Sequence, residues 1–218
     1  MIARIVMKQL LLIDREFGAG CGRISEILAA RLNWKLFDDA LTEEIARQAN
    51  IPVEVCKQRE ERTDPWLQRL VNMIWRGSFD RHLPSPDLAI LTADRLVQIV
   101  QRVVEQAAEQ RPCIIVGRGA PHFLRHRTDT FSVFLYAARD IRFRRVLKKV
   151  GKPGEAIHLV DSIDEDRRKF VKYYFGQEWP NRDYFNVMLN TGVGDEKTAE
   201  AILSLLDNAN RTEEANQG

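Results

Sequence analysis

The stretch QLLLIDREFGAGCGR, residues 9–23, decides how the rest of the chain is read. Gln9 to Ile13 is a short apolar run of the kind that forms a strand buried on both faces of a parallel sheet. The next segment, Asp14 to Gly22, ends in three alternate glycines: Gly18, Gly20 and Gly22. Beyond them Ile24, Ile27, Leu28 and Leu32 recur at helical spacing. A strand, a glycine-rich turn and a helix in that order make an anion cradle. Glycine lets the backbone approach a charged group, and the helix start offers unbonded N–H groups at the positive end of its dipole. The competing reading is a plain strand-to-helix turn, which needs fewer glycines.

Two anion-loop classes compete for this segment. The dinucleotide fingerprint GxGxxG takes Gly18 and Gly20, with Asp38 as its acidic partner. Arg23 then stands where that fingerprint needs its third glycine, and the four residues Asp14 to Phe17 make the turn too long. A longer loop suits the P-loop. Against D-G-x-x-G-x-G-K-[GS]-T, Asp14, Gly18, Gly20 and Gly22 fall in register, while Arg15 replaces a glycine, Cys21 the lysine and Arg23 the Ser/Thr.

Outward from the loop, the pattern alternates. Trp34 to Phe37 reads as a second strand ending at Asp38 and Asp39, and Thr42 to Val71 is helical in pattern but broken at Asn50, Pro52 and Pro65. Gly77 to Pro86 reads as a loop, and Thr92 to Gln110 as a helix capped by Thr92 and stopped by Pro112. Cys113 to Val116 is a third strand leading into Gly117-Arg118-Gly119, and Ser132 to Tyr136 a fourth. Ala138 to Val150 is a basic helix closed by Gly151. Lys152 to Gly154 reads as a turn, and Asp164 to Phe175 as a second basic helix closed by Gly176. Phe185 to Leu189 is a fifth strand and Glu196 to Leu206 a last helix. The fold class is therefore α/β, with a five-stranded parallel sheet covered by helices on both faces and ligands expected beyond the carboxyl ends of the strands.

With 218 residues, 44% apolar and 29% charged, the chain has the composition of one globular domain rather than a disordered segment. Its formal charge of +2 argues against a nucleic-acid-coating protein. Cys21, Cys56 and Cys113 are odd in number and form no CxxC pair, so neither a disulfide framework nor a zinc knuckle is expected. No run approaches the roughly 20 apolar residues of a membrane span, and the N-terminal stretch lacks a signal-peptide cleavage site, so a cytoplasmic location is expected.

At the level of whole motifs, IDREFGAGCGR resembles the SREFGSGG-R signature of the cytidylate kinase-like family. LFDDALTEEIA, PCIIVGRGAPHFL, FSVFLYAARDIRFRRV, FVKYYFGQEW and FNVMLNT match in the same order. The resemblance implies a P-loop NTPase-type core (9–41 and 92–207), an inserted helical acceptor subdomain (about 42–91) and a basic lid (about 142–180), followed by a disordered tail (208–218). It implies phosphoryl transfer from ATP, with Mg²⁺, to a nucleoside monophosphate, with CMP or dCMP foremost. The alternative is a nucleotide-binding regulator whose altered P-loop no longer catalyses.

On the resemblance, Phe17, Gly18, Ala19, Gly20, Cys21, Gly22 and Arg23 wrap the donor phosphates, and Arg23 supplies the charge of the absent lysine. Asp14 is a candidate to hold the metal through water. Asp38 and Arg118 lie at the acceptor, Arg118 gripping its phosphate, although the family's GRD motif here reads Gly117-Arg118-Gly119, without the aspartate. The stretch from Arg139 to Lys152 carries seven basic residues against one acid. Arg142 and Arg145, one helical turn apart, reach the same anion and act with Arg168 in catalysis, while Arg167 and Lys172 bind substrate. Lys148, Lys149 and Lys152 read as a solvated face. Tyr173, Tyr174 and Trp179 read as packing, and His122 as structural. Cys21, at a helix start, is expected to have a lowered thiol pKa.

Overall fold

The computed structural model describes residues 7–49 and 93–215. The expected acceptor subdomain beyond Ala49, the 77–86 loop and the capping Thr92 lie outside these residues. Strand β1 (Leu10–Arg15) leads through the glycine loop into helix α1 (Cys21–Leu32), followed by β2 (Lys35–Phe37) and α2 (Asp39–Gln48). Then come α3 (Ala93–Ala108), β3 (Cys113–Val116), the short α4 (Ala120–Phe123) and β4 (Thr130–Tyr136). The chain closes with α5 (Arg139–Val150), α6 (Pro153–Phe175), β5 (Val187–Asn190) and α7 (Asp195–Ala215).

The five strands form one parallel sheet in the order β2-β3-β1-β4-β5. The centre belongs to β1, whose Leu10 to Ile13 are at most 1% exposed. Alternation along the strand divides its side chains. Leu10 and Leu12 meet Cys113 and Ile115 under α2 and α3, while Leu11 and Ile13 meet Ile114 and Val116 under α1 and α7. Each fully buried Leu or Ile contributes about 1.5–3 kcal/mol, so this run anchors the fold. Because β1 is flanked by β3 on one side and β4 on the other, the glycine loop leaves the sheet where the strand order reverses.

Two elements run further than the sequence pattern suggested. Helix α6 starts at Pro153, not Asp164. Proline suits a first helical position, and Ala156, Leu159, Val160 and Ile163 bury against Val146 of α5 to make the two helices a hairpin. Helix α7 continues past Leu206 to Ala215, so residues 208–215 are not a disordered tail. Ala209 packs on the core, and Asn210 Oδ1 accepts the backbone N–H of Lys8 at 2.7 Å.

Candidate active site

The loop between β1 and α1 is built by its glycines. Gly18 (φ +80°) and Gly20 (φ +87°) are left-handed, and Gly20 stands directly before α1. No side chain caps this helix, so the N–H groups of its first turn have no intrahelical acceptor, the first such bond running from Ile24 N to Gly20 O. The space in front is open: a methyl added at Gly22 would meet nothing within 4 Å. Behind the loop there is no room. A Cβ at Gly18 would approach Arg142 O and Val146 Cγ2 to 3.0 Å, and one at Gly20 would approach Arg145 Nη1 to 3.0 Å.

The arginines of α5 and α6 hold this back side. Arg142 donates to Phe17 O (3.1 Å), Ala137 O (3.1 Å) and Asp164 Oδ2 (2.7 Å), and its Nε lies 3.1 Å from Glu16 Oε2. Arg145 donates to Ala19 O (2.9 Å), Thr191 Oγ1 (2.8 Å) and Asp195 Oδ1 (3.2 Å). Arg167 is buried and donates to Arg15 O (2.7 Å) and Asp164 Oδ1 (3.1 Å). Asp164, 3% exposed, also accepts the Phe17 N–H at 2.8 Å. The ring of Phe17 joins the apolar core of the α5–α6 hairpin. Arg142 and Arg145 thus do converge as their spacing suggested, but on loop carbonyls and carboxylates.

Other expected residues lie elsewhere. Arg23 pairs with Glu26 at 3.3 Å on the surface, and Arg168 with Glu165 at 3.0 Å. Lys172 pairs with Glu178, and Lys148, Lys149 and Lys152 are not buried. Cys21 is corrected: burial pushes its thiol up to about 12, outweighing the nearby Arg15, and Asp38 and Asp14 add to the rise. Of the cations, Arg15 acts most strongly on Cys21, which stands in the lysine position. Its guanidinium lies where a Cβ on Gly117 would be, 1.8 Å from Nη1, so a side chain there would displace it, and the φ of +65° also favours glycine.

Beyond β3, Gly117, Arg118 and Gly119 are all left-handed, at φ +65°, +56° and +71°. For arginine this conformation costs about 1–2 kcal/mol, and such strain gathers at functional turns. Arg118 is 6% exposed, and its Nη2 donates to Thr42 Oγ1 at the start of the acceptor segment. Asp38 stands before α2 but makes no capping bond, while Asp39 opens the helix as its first residue. His122 is structural. It stacks on Phe175 at 4.7 Å and neighbours Tyr184 at 4.8 Å, and burial lowers its pKa. Trp179 and Tyr174 pack against the core, whereas Tyr173 is 68% exposed.

Sequence reasoning missed Glu16, Asp164, Thr191 and Asp195. The one signal available was spacing: Asp164 and Arg167 stand three apart, one helical turn. It also left Asp14 as a metal candidate. In the structure Asp14 Oδ2 accepts the Trp179 indole N–H (2.8 Å) and Oδ1 the Arg15 N–H (2.9 Å), and Ser25 Oγ donates to Gly22 O (2.9 Å). Among the described residues no three His, Cys, Asp or Glu side chains group as metal ligands. None of the helices searched among these residues is long and apolar enough to cross a membrane.

Two clefts among the described residues bear on where a ligand would sit. The larger, about 890 Å³, is lined by Lys8, Thr130, Ser132 and Asn186, where strands begin. Ligands of parallel sheets sit at the opposite, carboxyl ends, so the site is better served by the smaller cleft of about 480 Å³. That cleft lies beside the start of α1 between Arg23, Ile27, Val193, Gly194 and Lys197.

Residues 11–193 match the model of the cytidylate kinase-like family. No curated protein matches the sequence. Among solved structures, an uncharacterised protein from Eubacterium ventriosum shares 22% identity over 92% of this chain and 99% of its own, with a TM-score of 0.61. A gluconokinase from Sinorhizobium meliloti shares 12% identity over 99% and 100% (TM-score 0.56). A shikimate kinase from Bacteroides thetaiotaomicron shares 17% identity over 91% and 98% (TM-score 0.53). These likenesses concern the fold, a parallel sheet flanked by helices.

Proposed function

The chain belongs to the cytidylate kinase-like family, and we propose that it transfers the terminal phosphoryl group of ATP to a nucleoside monophosphate, CMP or dCMP first among them. One observation carries this reading. An uncapped helix start behind two left-handed glycines, open in front at Gly22, faces the topological switch point of a parallel sheet. The N–H groups of Gly18 and of Gly20 to Arg23 take the donor phosphates, that of Ala19 being bonded to Glu16 O. Ile27 and the exposed Val193 offer the adjoining cleft an apolar contact for the donor nucleoside.

The acceptor phosphate meets Arg118, whose strained turn aims a planar fork that suits phosphate better than an ammonium does. Arg15, beside Gly117 and acting on Cys21, supplies positive charge where the lysine is absent. Phosphoryl transfer asks for positioning and charge neutralisation more than for covalent chemistry, and the attacking phosphate oxygen is already ionised, so no general base is required. Among the described residues no three His, Cys, Asp or Glu side chains group as ligands for Mg²⁺, and each oxygen of Asp14 already accepts a hydrogen bond. Mg²⁺ would be carried by the phosphates of the nucleotide, where it would offset their charge. Closure of the α5–α6 hairpin as a lid would exclude water from the reacting groups.

A second reading, a nucleotide-binding regulator, is favoured by Cys21 in the lysine position and by arginines already engaged with the loop. A coupled assay with ATP, Mg²⁺ and each nucleoside monophosphate, extended to small hydroxylated metabolites, separates them. Turnover of CMP above the other acceptors supports the kinase. ATP binding with no turnover of any acceptor supports the regulator.

A further inference from the structure

The arginines of α5 reach the glycine loop from its carbonyl side. Arg142 holds Phe17 O and Arg145 holds Ala19 O. The peptide bonds that follow these two carbonyls are trans, and in a planar trans peptide the C=O and N–H point in opposite directions. A guanidinium on the carbonyl of Phe17 therefore turns the N–H of Gly18 to the other face of the loop. The same holds for Ala19 and the N–H of Gly20, and among the described residues no backbone acceptor takes either N–H.

Both guanidiniums are fixed by further partners. Arg142 is held by Ala137 O and by Asp164, which itself accepts the Phe17 N–H. Arg145 is held by Asp195 and by Thr191, fully buried, whose hydroxyl also donates to Ala19 O at 2.7 Å. A cation on a carbonyl also polarises its peptide unit and strengthens the N–H as a donor.

We infer that Arg142 and Arg145 are positioning residues that clasp the Phe17–Gly18 and Ala19–Gly20 peptides from behind, presenting the N–H groups of Gly18 and Gly20 to the donor phosphates, with Asp164 and Thr191 holding the clasp. The inference rests on reading the loop as the donor-phosphate site. It explains how a loop without lysine receives cationic support although, among the described residues, nothing lies within 4 Å of a Cβ placed at Gly22. The contrary arrangement has both arginines leave the loop and grip phosphate directly.

These arrangements differ in sign when the clasp is loosened. The test uses the full chain with Thr191→Val and Asp164→Asn. One readout is the dissociation constant of a nonhydrolysable ATP analogue by calorimetry. The other is amide hydrogen exchange by NMR at Phe17 and Ala19 without nucleotide, with Leu11 and Ile13 as reference for an intact sheet. Faster exchange at Phe17 and Ala19 with unchanged β1, together with roughly tenfold weaker analogue binding for each variant, is the expected result. Thr191→Ser, which keeps the hydroxyl, restores wild-type values.

Asp164→Asn removes a negative charge close to an anion site, so both plain electrostatics and freed arginines call for tighter binding. Tighter or unchanged binding in a variant with intact β1 overturns the clasp. If the wild type binds no triphosphate analogue, the donor-loop reading falls on its own. The exchange data then decide the clasp alone, and unchanged exchange at Phe17 and Ala19 in both variants overturns it.

Discussion

Gly22→Ala separates stability from ligand binding at the loop. Gly22 is the second residue of α1, exposed, with no positive φ and open space around an added Cβ. Replacing glycine by alanine in a helix stabilises by at most about 1 kcal/mol. For a chain of this size that raises the melting temperature by up to roughly 2–4 °C. The same methyl projects from the helix start into the space where a phosphate would accept the first-turn N–H groups. Displacing one charge-assisted hydrogen bond there weakens nucleotide binding by about 1.5–3 kcal/mol, or 10- to 150-fold. Melting curves and calorimetric titration with the ATP analogue, run on the same preparation, give both numbers. A variant that melts no lower than wild type and loses nucleotide affinity supports the phosphate cradle. Wild-type affinity at unchanged or raised stability would refute it, because the most open position of the loop would then lie outside the ligand's reach.

Further outcomes are expected elsewhere in the chain. Arg118→Lys keeps the charge but loses the fork, and is expected to lower kcat/KM by about 10²-fold with the larger change in the acceptor KM; steady-state kinetics with varied acceptor measure it. Iodoacetamide at pH 8 is expected to modify Cys21 of the folded protein far more slowly than a free thiol, with or without nucleotide, because burial holds its pKa near 12; mass spectrometry of the labelled peptide follows it. Asp129, buried and bonded to Arg127 (2.9 and 2.8 Å) and Arg111 (2.6 Å), has its carboxyl pKa lowered, chiefly by Arg127. Its stabilisation is therefore present above the unfolded value of about 3.9 and is lost as pH falls through the lower native value. Thermal melts from pH 6 down to pH 2 should show the gap between wild type and Asp129→Asn narrowing only at the acid end.

Strands and helices were legible where one side-chain pattern sufficed. The apolar run of β1, the stripe on α3 and the glycines closing α5 and α6 are local signals, and β1, α3, α5 and the end of α6 appear within a few residues of the expected places. The misreadings have local causes as well. Lys152-Pro153-Gly154 resembles a turn because proline and glycine are its usual residues, yet proline also starts helices, and the buried contacts with α5 decided the matter. The polar end of α7 lacks an apolar stripe of full length, and its order comes partly from a hydrogen bond to Lys8 at the far end of the chain. Cys21 was misjudged because a helix start lowers a thiol pKa only where water or a cation stabilises the thiolate, and burial removes that condition.

From the order of residues alone came the parallel α/β class, the glycine loop as the anion-facing element and the family to which the motifs point. These depend on short-range periodicity and on glycine's freedom, which a linear string records. Only the tertiary structure decided what each arginine touches. Arg142, Arg145, Arg167 and Arg168 look alike in sequence, yet three turn inward to carbonyls and to Asp164 and Asp195 while the fourth meets Glu165 at the surface. A guanidinium's role is set by the oxygen atoms within about 3 Å of it. Those oxygens belong to residues up to 152 positions away, a proximity created by the packing of α5 and α6 against the sheet.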